Sequence, residues 1–177
     1  EYSNLAQLSE LSRPTVKSHV DAMVIANAAY LLPPYHGGGR REITRRPKCY
    51  LFDTGFVTFV RGWNQVRDDD RGPLWEHLVL DVLRSTFLER DLFYWRDKSY
   101  REIDFVIARG CDTVDAVECK INPDSVNPVP FTVFRSAYPN GENYVVSPSV
   151  KEPYSRTVGG LRATVCSLSH FLSVPPR

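Results

Sequence analysis

No apolar run in these 177 residues approaches the roughly 18 that a membrane span requires, and no signal-peptide pattern opens the chain. We therefore expect a cytoplasmic protein with no membrane partner. Charge of one sign is missing too: 22 Lys+Arg against 21 Asp+Glu leave a formal +1, so bulk charge selects no partner. Cysteine is sparse. Cys49, Cys111, Cys119 and Cys166 are scattered, with no C-x-x-C and no paired His spacing, a pattern that favours reduced thiols over a zinc site or a disulfide framework. No G-x-x-x-x-G-K-[ST] occurs, and Gly37-Gly38-Gly39 is followed by arginines, so no ATP site is expected in this chain. There is no internal repeat and no initiating Met. Glu1 comes first, which reads as a fragment of a longer protein.

What is present suffices for a core, since 42% of residues are hydrophobic. The first part reads as one unit. Asn4 to Glu10 is a short helix with Leu5 and Leu8 inward, Ser12 is an N-cap, and Pro14 stands in the first turn of a helix running to about Asn27. Val16, Val20, Met23, Val24 and Ile25 recur on that helix at helical spacing. Ala29–Pro34 and Cys49–Phe52 read as two strands around the loop YHGGGRREITRRPK. Helix, turn, longer helix and hairpin over residues 1–60 make a winged helix-turn-helix short of its first helix. The polar stretch within 61–72 is a linker or surface loop.

Residues 73–177 form a second unit. Pro73–Arg90 reads as an amphipathic helix, followed by strands at Leu92–Arg96, Arg101–Ala108 and Thr113–Lys120. Asn122–Pro130 reads as irregular, Phe131–Ala137 as a short helix and Asn143–Val146 as a strand. Leu161–Leu172 is a strand, alone or with a following helical turn. This order indicates an α/β layer with a mixed central sheet flanked by helices.

The chemistry concentrates in REIDFVIARGCDTVDAVECK, Arg101 to Lys120, where acids sit inside apolar strand patterns. Alternation puts Glu102 and Asp104 on one face of their strand, and Glu118 and Lys120 on one face of theirs, with Cys119 opposite. At about 100° per residue, Glu76 falls between Val79, Leu80, Leu83 and Phe87 on the apolar face of the first helix of the unit. Close carboxylates repel unless a cation lies between them, and Mg²⁺ (or Mn²⁺) commonly takes one or two carboxylates with water and phosphate. Asp104, Glu118 and Glu76 are the expected metal ligands. Lys120 would orient or deprotonate a water and offset phosphate charge. Glu102 is the last of the catalytic candidates and reads equally well as a solvated or paired acid. His77, about 100° off the face of Glu76, reads as a surface histidine, and Trp75, Phe93, Tyr94 and Trp95 as core aromatics.

Glu76, the EID ending in Asp104, and Glu118-Cys119-Lys120 together resemble the restriction-endonuclease-like, PD-(D/E)xK nuclease superfamily. There an acid of the first helix, an Asp of the second strand and an E-x-K of the third build the site. The one departure is Cys119, where Val or Ile is more usual. The runs SRPTVKSHVDAM, LPPY, PKCYLFDTG, GPLWEHLVLDVL, FYWRDKSYREIDFVI and VECK are similar to the region of unknown function that follows the ATPase domain in AAA+ superfamily ATPases of bacteria and archaea. That resemblance covers nearly the whole chain and implies an upstream ATPase domain as a partner in the same polypeptide.

Between His36 and Lys48, Arg40, Arg41, Arg45, Arg46 and Lys48 stand against the single Glu42. With Arg13, Thr15, Lys17 and Ser18 at the start of the second helix, they are candidates for DNA contact; domain packing is the other reading. Two functions follow from different classes. One is a Mg²⁺-dependent DNA endonuclease. The other is a catalytically silent DNA-binding, regulatory or protein-interaction module of an ATPase.

Overall fold

The computed structural model describes residues 2–37, 46–110 and 112–173. The chain opens with α1 (Tyr2–Ser9) and α2 (Arg13–Ile25). The Ser12 hydroxyl accepts the Thr15 N–H at 3.2 Å, and Pro14 stands in the first turn, where its missing N–H leaves no bond unmade. Leu5 and Leu8, expected inward, are 45% and 84% exposed. Ile25 is exposed as well, which leaves Val16 as the buried residue of α2. A helix pair this short presents more apolar side chains than the neighbouring hairpin can cover.

β1 (Ala29–Leu32) pairs antiparallel with β2 (Lys48–Leu51), as the alternation predicts. α3 (Thr54–Val60) follows in a segment for which the sequence reading has no element. Its local cause is Asp53, whose carboxylate accepts the Phe56 N–H at 2.6 Å. α4 (Asp68–Thr86) starts inside the stretch expected as a linker, five residues before Pro73, and ends short of Arg90. Three aspartates in its first turn favour the positive helix terminus, and Asp70 accepts the Arg67 N–H at 3.1 Å. Pro73 is thus tolerated one turn into a helix that is already capped, at the loss of one backbone bond.

β3 (Leu92–Arg96), β4 (Glu102–Gly110) and β5 (Thr113–Cys119) form an antiparallel meander. α5 (Pro128–Ala137) crosses to β6 (Asn143–Val146), which runs parallel to β5. α5 begins three residues before the expected Phe131 because Asn127 caps it and Pro128 occupies a first-turn position. β7 (Tyr154–Val158), absent from the sequence reading, pairs with β8 (Leu161–Cys166), and α6 (Leu168–Ser173) follows. β7 is an edge strand with mostly exposed side chains, so it carries no alternation to read. The six strands lie in the order β3-β4-β5-β6-β8-β7, a mixed sheet with helices on both faces.

Val79, Leu80 and Leu83 of α4 pack with Phe105, Ile107, Val117, Val146 and Phe171 on one face, and Phe131 and Phe134 of α5 with Val106, Ala116, Val145 and Val165 on the other. Each Val, Leu, Ile or Phe among them, fully buried, contributes about 1.5–3 kcal/mol from area alone. The β1–β2 hairpin shares the α4 core. Tyr30 and Leu32 belong to it, and the Arg84 guanidinium lies 4.0 Å from the centre of the Tyr30 ring. Beyond β1 the chain runs beside β3: Tyr94 N–H donates to the Pro33 carbonyl at 3.0 Å, and Tyr35 N–H to the Tyr94 carbonyl at 2.6 Å. Among the described residues no helix is long and apolar enough to cross a membrane.

Candidate active site

β4 carries an irregularity at its entry. Phe93 pairs with Val106 but Trp95 with Ile103, so two steps along β3 span three along β4. Such a bulge breaks strict alternation. Ile103 consequently packs on the α5 face with Val106, while Phe105 lies under α4. Glu102, opposite Ile103, and Asp104, in the bulge, both reach the side where α4 delivers Glu76. One carboxylate oxygen from each of Glu76, Glu102 and Asp104 lies within 4.8 Å of the others.

The pairing of β4 with β5 ends at Phe105–Val117, and there the Asp104 carboxylate takes over, accepting the Cys119 N–H at 2.8 Å. Cys119 belongs to the α4 core and Ala116 to the α5 core, so alternation along β5 assigns Glu118 to the face of Ala116. Lys120 Nζ binds Glu118 Oε2 at 2.8 Å and lies 3.9 Å from Asp104 Oδ2. Asp104 is therefore the pivot of two subsets. The trio differs from the expected Asp104, Glu118 and Glu76: Glu102 stands where Glu118 was expected, because the bulge, not the alternation, sets the convergence. Glu118 is 5% exposed, and its Oε1 has no hydrogen-bond partner among the described residues.

Three further groups, which the sequence reading did not assign here, complete the site. Lys48, counted there with the basic loop, turns inward from β2 and places Nζ 2.6 Å from both Glu76 Oε1 and Glu102 Oε1. The Tyr50 hydroxyl donates to Glu76 Oε1 at 2.5 Å, and Arg96 of β3 binds Glu102 Oε2. Leu32 opposite Lys48 and the alternation of β2 were the only signals that Lys48 and Tyr50 face inward together. His77 is not on the surface: it is 5% exposed, its Nε2 lies 2.6 Å from the Leu51 carbonyl, and it packs edge-on against Tyr50.

The electrostatics follow from burial. Asp104 is pushed up to about 6 by burial and the charge of Glu76, against the pull of Lys120, Lys48 and the Cys119 N–H. Glu118 rises to about 8 by burial and the charge of Asp104, despite Lys120. Burial would lower Lys120, but Asp104 and Glu118 hold it above the usual lysine range. Lys48 is likewise held up, against its own burial, by Tyr50, Glu76, Glu102 and Asp104.

Of the candidate DNA contacts, Arg13, Thr15, Lys17 and Ser18 are exposed on α2, with Lys17 Nζ bound to Asp21 at 2.5 Å. Arg46 is exposed, and Arg40, Arg41 and Arg45 lie outside the described residues. Cys49, Cys119 and Cys166 are free thiols.

Comparison with known sequences brings two family models. One, a domain of unknown function (DUF8612), matches residues 1–67; the other, a domain of unknown function (DUF4143), matches residues 71–168. The chain is 27% identical over 109 residues to an uncharacterized protein of Mycobacterium bovis, Mb2031c, and to an uncharacterized protein of Mycobacterium tuberculosis, Rv2008c. In each case the match covers 59% of this chain and 25% of the relative. No solved structure matches. The DUF4143 model spans more than half of the chain, which therefore belongs to that family of domains.

Proposed function

We propose that this chain is a metal-dependent phosphodiesterase of the PD-(D/E)xK type acting on DNA, the appended part of an AAA+ ATPase. The observation that carries this reading is the position of Asp104, between the carboxylates of Glu76 and Glu102 on one side and the Lys120 ammonium 3.9 Å away on the other. The element order α4-β3-β4-β5-α5-β6 supports it, with Glu76 on the helix, Asp104 on the second strand and Glu118 and Lys120 at the end of the third. Hard carboxylate oxygens suit Mg²⁺ or Mn²⁺, and the unpartnered, buried Glu118 Oε1 fits a role as a further ligand. Glu76, Glu102 and Asp104 would hold the ion, with Glu118 reaching in from the opposite side of Asp104. The bound ion would polarise a phosphate oxygen and lower the pKa of a water.

The chain's own groups supply the rest. Lys120, fixed by Glu118, offers a positive charge where charge develops on the phosphate. Asp104 is itself aimed by the Cys119 N–H. The exposed Arg13, Thr15 and Ser18 on α2, with α1, α2 and the β1–β2 pair acting as a winged helix, would grip the duplex through its phosphates and major groove. Purified chain with Mg²⁺ or Mn²⁺ is expected to nick plasmid, and Asp104→Ala and Lys120→Ala each to abolish nicking. Cleavage that survives both substitutions refutes the assignment. Duplex binding with no strand breaks under any divalent ion would instead establish the silent regulatory module.

A further inference from the structure

Four carboxylates, Glu76, Glu102, Asp104 and Glu118, meet three protein cations, Lys48, Arg96 and Lys120. Whereas Glu76 comes from α4, two of the cations, Arg96 and Lys120, come from the same sheet, or its strand end, as Glu102, Asp104 and Glu118. Lys48 does not. It is delivered by β2, from the other unit of the chain, and its Nζ is bonded to two members of the acidic trio at 2.6 Å each. That atom lies between two carboxylates of the trio, each of which offers an oxygen within 4.8 Å of the others, where the charge of a divalent ion would also be satisfied. An ammonium and a divalent cation repel, so each weakens the other's hold on the same two carboxylates. The hairpin is fastened from two further directions. Tyr50 holds Glu76 at 2.5 Å, and the Tyr94 hydroxyl, on β3, donates to the Arg46 carbonyl two residues before Lys48.

We propose that Lys48 is an internal counter-ion of the acidic site, and that a divalent cation and the Lys48 ammonium are alternative occupants of the position between Glu76 and Glu102. This rests on the metal-site reading above and deepens it: the N-terminal unit sets the metal affinity of the other one. Cation binding must free Lys48 from both carboxylates, so the ion and the inward position of the β2 side chain oppose each other. By the same linkage, anything that draws the hairpin away from α4 raises metal affinity. Glu118 Oε1 is buried without a hydrogen-bond partner among the described residues, and Lys48 binds Glu76 and Glu102 instead.

The test is titration calorimetry of Mn²⁺ into the full chain and into Lys48→Met, which keeps the apolar stem and removes the charge. Lys48→Met is expected to bind Mn²⁺ at least tenfold more tightly, a gain that mere structural damage would not produce; equal or weaker binding by the folded variant overturns the proposal. A second measurement needs no variant. Acylation of Lys48 by a water-soluble amine reagent, read by mass spectrometry, is expected to accelerate as Mn²⁺ saturates the wild-type chain. Mn²⁺ bound with Lys48 labelling unchanged overturns the counter-ion role and leaves the metal site standing. Absence of Mn²⁺ binding in both proteins overturns the two readings together.

Discussion

Glu118 makes the stability of the metal-free chain depend on pH in a direction opposite to that of most paired carboxylates. Its carboxyl is pushed from 4.5 up to about 8 by burial and by Asp104, and Asp104 itself from 3.8 to about 6 by burial and Glu76. The folded chain therefore holds protons that the unfolded chain releases. The stabilisation is complete below the unfolded value near 4.5 and is lost as pH rises through about 8. At about 1.4 kcal/mol for each pKa step, the free energy linked to Glu118 is on the order of 5 kcal/mol, a large share of a typical domain's stability. Urea unfolding in chelator, followed by Trp75 and Trp95 fluorescence, is expected to show stability falling steadily between about pH 5 and pH 8. Glu118→Gln, which keeps the shape and has no proton to lose, is expected to flatten most of that slope. Mg²⁺, which binds the ionised form, is expected to oppose it in the wild type. A wild-type stability that rises across this range, or a Glu118→Gln slope equal to that of wild type, would refute the reasoning.

Arg135 is buried and donates to the carbonyls of Val114, Tyr138, Asn140 and Glu142 and to Asn143 Oδ1, so Arg135→Met strands several acceptors and should cost about 3–5 kcal/mol in denaturant unfolding. Gly141 has φ +119 and its added Cβ would lie 2.0 Å from the Val114 carbonyl oxygen; Gly141→Ala is expected to lower the thermal midpoint by several degrees, whereas Gly72→Ala, which meets nothing, should be close to neutral. Lys48→Ala removes the shared partner of Glu76 and Glu102 and leaves two half-buried acids facing each other; calorimetry in chelator should show a loss of about 1–3 kcal/mol that Mn²⁺ partly restores. If α2 meets DNA, Arg13→Ala should weaken duplex binding and make its salt dependence shallower, which fluorescence anisotropy at two salt concentrations would read.

The fold was legible where pattern and burial coincide. The alternation of β3, β4 and β5 and the apolar face of α4 marked them directly, as did the cap at Ser12 and the order of strands around α5. Elements held by one polar contact at an end escaped notice: α3 on Asp53, and the first turns of α4 and α5, where a proline read as a beginning or as irregular chain. β7 escaped because an edge strand with exposed side chains has no periodicity. In the site, Glu76 and Asp104 were readable from their misplaced charge. The leading place of Glu102 was not, since a bulge has no sequence signature here, and Lys48 was hidden among arginines that share its charge but not its burial. Long-range pairing between β2 and α4 is set by tertiary packing, which local pattern does not encode.

The two rims of the sheet are guarded unequally. Along β3, residues 33–35 lie against Tyr94 and take up its backbone groups, so a neighbouring chain finds that stretch already occupied. Along β7, the outer backbone groups pair with no strand among the described residues, and only exposed side chains such as Tyr154 and Ser155 stand beside them. Any assembly that extends this sheet from molecule to molecule would have to start at β7, at the opposite end of the strand order from β3 and β4, and would not cover the acidic cluster.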